Sequence, residues 1–317
     1  MDKKKIKALV LLSGGLDSIL AAKLLLKQGI EVEAINFRTN FCGPSKARPA
    51  AQALGVFLRE ENIREEFLKV LKKPKYGYGA GMNPCIDCHA LMLKKAGEIM
   101  KKENSCPESG RRIDFVATGE VLGERPMSQH KKALEIVEKE AGLKGYLLRP
   151  LSAKLLEPTI PEKQGLVERD RLLDISGRSR KKQMELAKKF GIKDYPTPAG
   201  GCALTQEGFA DRVKELMKNK PDFNADDIDL IKFGRHFFID GTQIILGRNE
   251  EENCFLGSLA KDEDILLKLN RVVGPTALIR GKIINKPAIE KAKKLVIRFA
   301  PKAKNLDQKT CIMPDTY

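Results

Sequence analysis

The sequence predicts an α/β protein, a doubly wound parallel sheet followed by a smaller C-terminal α+β domain. Three observations carry this reading. Apolar runs of strand length alternate with helical stretches through the first part of the chain, the rhythm of βαβ units. The first run ends in a Ser-Gly-Gly turn that opens directly into a helix. After about residue 225 the pattern changes to short β-rich runs around an Asp-Gly turn.

Ile6–Leu12 is a continuous apolar run, the signature of a strand buried on both faces. Asp17–Gln28 reads as a helix closed by Gly29, and Glu31–Phe37 as a second strand. Ala47–Leu54 reads as a helix ending at Gly55, Tyr76–Gly81 as a glycine-rich loop, and Cys85 to about Lys102 as a helix. Ile113–Gly119 is a further buried strand ending in a turn. Ligands of such sheets bind beyond the carboxyl ends of the strands, so the loops after Leu12, Phe37 and Ala117 should face one crevice.

Beyond Gly145 the period is lost. Ser179–Phe190 is a basic amphipathic helix ended by Gly191, and Tyr195–Cys202 is a proline- and glycine-jointed loop. Phe209–Met217 reads as helical and Pro221–Asn224 as a linker. Phe233–Ile239 and Thr242–Gly247 flank Asp240-Gly241 and predict a hairpin; Gly274–Arg280 and Lys294–Phe299 read as further strands. The domains expected are 1–150, 151–222 and 223–317.

The chain has 317 residues and a net charge of +16, with Lys and Arg spread along its length. That excess favours a polyanionic partner held by phosphate neutralisation. The competing explanation, a Lys/Glu-rich surface of thermophile type, accounts for many charges but not for their imbalance. No apolar run is long enough to span a membrane and no secretory leader precedes Ile6, so the cytoplasm is the expected compartment.

Ser13-Gly14-Gly15-Leu16-Asp17-Ser18 combines the parts of a phosphate cradle. Glycines permit close backbone approach, helix N–H groups point at the anion, and Ser13 and Ser18 add hydroxyls. Asp17 suits a phosphate site as a cap of the turn or as a ligand of Mg²⁺. No Gly-Lys-Ser/Thr follows, so this is not a Walker A loop, and G-x-G-x-x-G is absent.

Of seven cysteines, only Cys85 and Cys88 are closely spaced. They open a helix after Asn83-Pro84, where backbone N–H groups lower thiol pKa values. Three readings compete: a zinc ribbon would need a second C-x-x-C, which is missing, and a thioredoxin-like dithiol is possible although the fold pattern starts with a phosphate loop instead. The third reading takes a third thiol from Cys202, after Gly200-Gly201, and three thiolates suit a [4Fe–4S] cluster with one open iron. His89 is either a fourth ligand or a polar helix-surface residue. Cys42, Cys106, Cys254 and Cys311 have no partner in sequence.

Ser13–Ser18 after the first strand resembles the PP-loop of the ATP pyrophosphatase superfamily, with its adenine nucleotide α-hydrolase-like fold. With Asn83–Cys88, Ala117–Gly119 and Gly200–Cys202 in that order, residues 5 to about 210 resemble the tRNA 2-thiouridylase group. The resemblance implies that ATP and Mg²⁺ bind at Ser13, Gly14, Gly15, Asp17, Ser18, Phe37 and Gly119. A tRNA uridine oxygen is adenylylated with release of pyrophosphate, and sulfur then displaces AMP. Cysteine at position 85 departs from many such enzymes and resembles the cluster-dependent tRNA thiolases. It implies a [4Fe–4S] cluster on Cys85, Cys88 and Cys202 whose free iron carries hydrosulfide. The cluster-free alternative uses Cys88 and Cys202 as persulfide carrier and resolving thiol. The sulfur donor would be sulfide or a persulfide-carrying protein, and a homodimer is left open.

Gly234-Arg235-His236-Phe237 and Gly247-Arg248-Asn249 with Asn253 resemble the RNA-binding NFACT-R domain, which implies RNA contact away from the active site. A 2-thiouridylase carries a β-barrel there instead. Two stretches lie near the expected crevice. Arg125, within Gly123–His130, is placed to neutralise triphosphate charge if that loop is not merely solvated. Ser176–Lys182 is a basic helix start suited to RNA phosphate or to solvent. Two other classes compete: a PP-loop synthetase for a small substrate, which leaves the charge and the C-x-x-C unexplained, and a non-catalytic RNA-binding protein, which leaves the intact loop unexplained.

Overall fold

The computed structural model describes residues 5–42, 46–105, 112–195, 202–270 and 272–300, and the backbone of 312–314. Cys106, Gly200, Gly201 and Cys311 lie outside the described residues. The chain divides into two compact units, Met1–Thr205 and Gln206–Tyr317.

The first unit runs β1 (Lys7–Leu11), α1 (Leu16–Leu26), β2 (Glu31–Arg38), α2 (Ala47–Leu54), β3 (Phe57–Asn62), α3 (Arg64–Lys72), α4 (Cys85–Asn104), β4 (Phe115–Ala117), α5 (Lys131–Glu140), β5 (Leu147–Leu148), α6 (Ile160–Lys163) and α7 (Lys181–Lys189). Its strands form one parallel sheet in the order β3-β2-β1-β4-β5. The alternation of side chains along β1 explains the apolar run: Ala8 and Val10 pack with Ala22, Leu25 and Phe115 on one face, and Leu9 packs with Leu93, Ala96 and Val116 on the other. From β1 the chain winds outward through β2 to β3, then returns to lay β4 on the free side of β1. The switch point falls between β1 and β4, and the loops after Leu11 and Ala117 flank it.

β3 has a charged sequence, and its place in the sheet explains why. Arg59 on β3 pairs with Glu33 on β2 at 3.0 Å, and Glu33 pairs with Lys7 on β1, also at 3.0 Å. Ion pairs across three strands take the place of apolar alternation at this edge. Phe57, 65% exposed, opens the strand.

The second unit holds α8 (Glu207–Asn219), α9 (Ala225–Leu230), β6 (Arg235–Ile239), β7 (Thr242–Leu246), α10 (Glu250–Ser258), β8 (Ile265–Leu269), β9 (Ala277–Arg280), α11 (Lys286–Arg298) and β10 (Ile312–Pro314). The five strands form an antiparallel sheet in the order β10-β8-β9-β7-β6. The predicted hairpin is β6–β7, with Asp240 and Gly241 at φ 45° and 76°. Lys294–Phe299, expected as a strand, is instead the last turn of α11 and its cap. Asn285 caps that helix, Pro287 sits in its first turn, and Ala288, Ala292, Leu295 and Val296 recur at helical spacing against the sheet. Pro221–Asn224, read as a linker, joins α8 to α9 with Phe223 buried and Asn224 capping α9.

Among the described residues no helix is long and apolar enough to cross a membrane.

Candidate active site

The loop between β1 and α1 is drawn tight by its own hydroxyls. Ser13 Oγ accepts from the Gly15 amide at 3.2 Å, Ser18 Oγ donates to the Gly15 carbonyl at 2.8 Å, and the two hydroxyls lie 3.3 Å apart. Gly14 takes φ 80°, and a Cβ there would stand 2.3 Å from the Lys46 carbonyl. Gly15 is the N-cap of α1 and brings no side chain to it, so the positive end of the helix is left to a ligand. Gly119, at the end of β4, packs against the start of α1. Phe37 lies at the end of β2 with its ring in the core, while neighbouring Asn36 donates to the Leu12 carbonyl at 2.8 Å.

Asp17 is the electrostatic centre of this end of the unit. Burial pushes its carboxyl above the ordinary value, and Arg180, Gln183 and Arg125 offset that only in part. Arg180, from the turn before α7, reaches it at 3.6 Å. Glu124 is also pushed up, first by burial and then by Asp17 itself. Among the described residues, six buried side-chain polar atoms have no hydrogen-bond partner. Five belong to Asp17, Gln129, Arg180 and Gln183, so the unmet polar demand of the molecule is concentrated here. Sequence reasoning missed Gln129 and Gln183 and assigned Arg180 to RNA; an internal glutamine in a basic helix was the available signal.

The thiols come from three loops stitched by backbone bonds. The Ala203 amide donates to the Phe41 carbonyl at 2.9 Å, and the Met82 amide to the Leu204 carbonyl at 3.0 Å. These bonds bring the Cys42, Cys85–Cys88 and Cys202 loops together. Gly81 is needed at the junction, because a Cβ there would meet the Leu204 carbonyl oxygen at 2.3 Å. Buried Asn83 shapes the turn, accepting from the Gly81 amide at 3.1 Å and donating to Cys85 Sγ at 3.0 Å. The expected acidification of the helix-start thiols is not found at Cys88. Burial, reinforced by Cys202, Cys42 and Cys85, pushes Cys88 well above the usual thiol range. Burial likewise raises Cys202 to about 12, with the Leu204 amide opposing. Desolvation and neighbouring sulfurs outweigh the helix end. Cys42, without a partner in sequence, belongs to this group; Cys254 is exposed in the other unit.

His89 is not a free polar side chain on the helix surface, since one ring nitrogen is engaged inside the unit. Its Nδ1 lies 2.6 Å from Glu120 Oε1, and Glu120 also binds Arg149 at 2.9 Å and Thr118 at 3.1 Å. Among the described residues, no group of three or more His, Cys, Asp or Glu side chains is arranged to hold a metal ion. Arg125 is exposed, and its positive charge is the smallest of the influences that lower Asp17 and Cys202.

In the second unit the Gly-Arg segments are held by one carboxylate. Glu252 accepts from the Gly234 amide at 3.2 Å, from the Arg248 amide at 2.8 Å and from the Arg248 guanidinium. Asn249 caps α10, and Asn253 takes the Thr276 amide at 2.9 Å. His236, buried against the Phe233 carbonyl, is held down at about 4 by burial.

A Ser-Gly-Gly turn at the switch point of a five-stranded parallel sheet defines a PP-loop nucleotide-binding unit. Residues 4–154 match the family described as thiamine biosynthesis protein (ThiI), and residues 234–312 match the NFACT protein RNA binding domain. The chain is 26% identical over 236 residues to tRNA-specific 2-thiouridylase MnmA 1 of Syntrophus aciditrophicus, covering 67% of this chain and 56% of that one. It is 26% identical over 254 residues to tRNA-specific 2-thiouridylase MnmA 2 of Fusobacterium nucleatum, covering 77% and 65%. It thus spans less than two thirds of either relative. A crystal structure of a 4-thiouridine synthetase–RNA complex with bound ATP aligns at 20% identity and TM-score 0.40, over 68% of this chain and 51% of that one.

Proposed function

We propose that this protein is an ATP-dependent tRNA-uridine sulfurtransferase. One observation carries the reading: a phosphate loop at the switch point of the sheet and a group of thiols on stitched loops belong to the same compact unit. That unit holds the parts needed both to activate an oxygen at a phosphate and to deliver sulfur. The RNA-binding family of the second unit and the +16 charge make tRNA the fitting owner of the uridine.

In this reading Ser13, Gly14, Gly15, Ser18 and Gly119 hold the triphosphate. The orphaned Asp17 Oδ1 is the atom that would take Mg²⁺. The uridine oxygen attacks the α-phosphorus and pyrophosphate leaves, its charge offset by Arg125. Sulfur then attacks the adenylylated carbon and AMP departs. In the persulfide form, one of Cys88 and Cys202 carries the outer sulfur and the other releases it by forming a disulfide with the carrier. In the cluster form, Cys85, Cys88 and Cys202 would hold a [4Fe–4S] cluster, which when bound supplies an iron for the incoming sulfur. The donor set suits it in kind, three thiols on two stitched loops, but the sulfurs as they stand are not arranged around one centre and would have to close on the cluster. The sulfur donor is sulfide or a persulfide-carrying protein.

The test is mass spectrometry of tRNA nucleosides from a deletion strain. The reading requires one thionucleoside to disappear and to return with the wild-type gene. An unchanged nucleoside profile overturns it.

A further inference from the structure

The basic stretch from Arg178 to Lys189 has two faces with different chemistry. Arg178, Lys181 and Lys182 are exposed, and Lys182 reaches Asp174 at 3.2 Å. Arg180 and Gln183 turn inward instead. Gln183 is 0% exposed, and neither atom of its amide has a partner. The Arg180 Nε is buried and unpartnered as well. The contact of Arg180 with Asp17, 3.6 Å from nitrogen to oxygen, is an ion pair too long for a hydrogen bond.

A buried amide that has the Asp17 carboxyl beside it but no well-formed hydrogen bond is costly, and a helix otherwise rich in lysine that keeps one requires a reason. The cost is met only when a polar ligand enters. The exposed lysines face solvent and can hold RNA phosphate, whereas Arg180 and Gln183 are turned towards the phosphate loop. The neighbour these groups do share is Asp17, in the first turn of an uncapped helix that favours anions.

We propose that Arg180 and Gln183 form a second wall of the nucleotide site and bind the metal-bound triphosphate directly. With nucleotide absent, Arg180 rests against Asp17; with Mg²⁺-ATP bound, Asp17 turns to the metal and Arg180 to phosphate oxygen, while the Gln183 amide completes its hydrogen bonds on the ligand. The inference rests on the PP-loop as a nucleotide site and is independent of what is later adenylylated. It places two ATP contacts outside the 4–154 segment that the ThiI family matches.

The experiment is titration of the full chain with Mg²⁺-ATP and, separately, with tRNA, for the wild type, Arg180→Ala, Gln183→Leu and the double variant Lys181→Ala/Lys182→Ala. Arg180→Ala and Gln183→Leu should each weaken ATP binding about 10-fold or more, with tRNA affinity in the absence of nucleotide unchanged. Gln183→Leu should also raise the melting temperature of the nucleotide-free protein while shrinking the upward shift that ATP induces. The lysine pair should do the reverse of the buried pair, weakening tRNA and sparing ATP. Wild-type ATP affinity in both Arg180→Ala and Gln183→Leu overturns the proposal, as does loss of tRNA affinity with ATP binding intact. If the wild type binds ATP and the variants bind it poorly while tRNA thiolation is never observed, this inference stands and the sulfurtransferase reading falls. If the wild type does not bind ATP at all, both fall.

Discussion

Gly119 and Asp17 are in such close contact that a Cβ on the glycine would stand 2.5 Å from the Asp17 carbonyl carbon. The end of β4 is thereby locked against the start of α1, and the two sides of the switch point act as one rigid wall. Gly119→Ala should push the helix start away, lower stability by about 1–3 kcal/mol and weaken ATP binding beyond that loss. Urea unfolding with and without Mg²⁺-ATP separates the two effects; an Ala variant with unchanged midpoint and unchanged ATP stabilisation would show that the contact is slack.

Asp17→Asn should abolish AMP formation and leave the protein at least as stable as the wild type. Burial raises the Asp17 carboxyl, so its ionised form is unfavourable in the folded state and its removal relieves a strain. The raised value means that Asp17 adds stability below the ordinary carboxylate range and loses it as pH rises through the folded value. The variant should therefore gain most over the wild type near neutral pH, as seen in thermal melts across pH.

Glu120 should behave in the opposite way. Burial pushes its carboxyl up, but Arg149 and His89 outweigh that and hold it at about 2. Its contribution, about 3 kcal/mol, is complete above the ordinary carboxylate range and is lost as pH falls towards 2. Glu120→Gln, which leaves Arg149 buried without its counter-charge, should cost roughly 3–5 kcal/mol at pH 7 and flatten the acid limb of the stability profile. Chemical denaturation at pH 7 and pH 3 checks both statements.

Cys202→Ala and Cys88→Ala should keep ATP binding and AMP formation while stopping sulfur transfer. Cys85→Ala distinguishes the two sulfur chemistries. After anaerobic purification, the cluster form predicts loss of iron and of visible absorbance with loss of activity. The persulfide form predicts a colourless wild type and a Cys85→Ala variant that still thiolates with a persulfide donor.

Glu252→Ala should loosen the second unit by about 2 kcal/mol, because one carboxylate serves two backbone amides and the Arg248 guanidinium. RNA affinity should fall while ATP affinity of the first unit is unchanged. An unaltered melting profile would show that the hub is dispensable.

The parts of this protein that were legible in sequence are those where local pattern and tertiary role agree. Lys7–Leu11 is apolar because both faces of β1 are covered, and Ser13–Ser18 needs its glycines because Lys46 presses on Gly14. β3 was hidden because its cohesion is ionic, through Arg59 and Glu33. Lys294–Phe299 misled because the preceding turns of α11, from Lys286, must be included before the helical period shows. Cys42, Gln129 and Gln183 could not be placed, since each gains meaning only from a loop distant in the chain. Thiol acidity was misjudged because a helix start is a local feature and desolvation is not.

The raised thiols have a consequence for life between turnovers. A sulfhydryl that keeps its proton at neutral pH is a poor target for peroxide, alkylating agents and stray disulfides. The chain can therefore hold its most reactive sulfurs dormant beside one another without mutual oxidation. Cys42 and Cys254, both exposed, would take the first chemical insult. Seen this way, the crowding of Cys88 and Cys202 by Cys42 and Cys85 is a safety catch on both thiols.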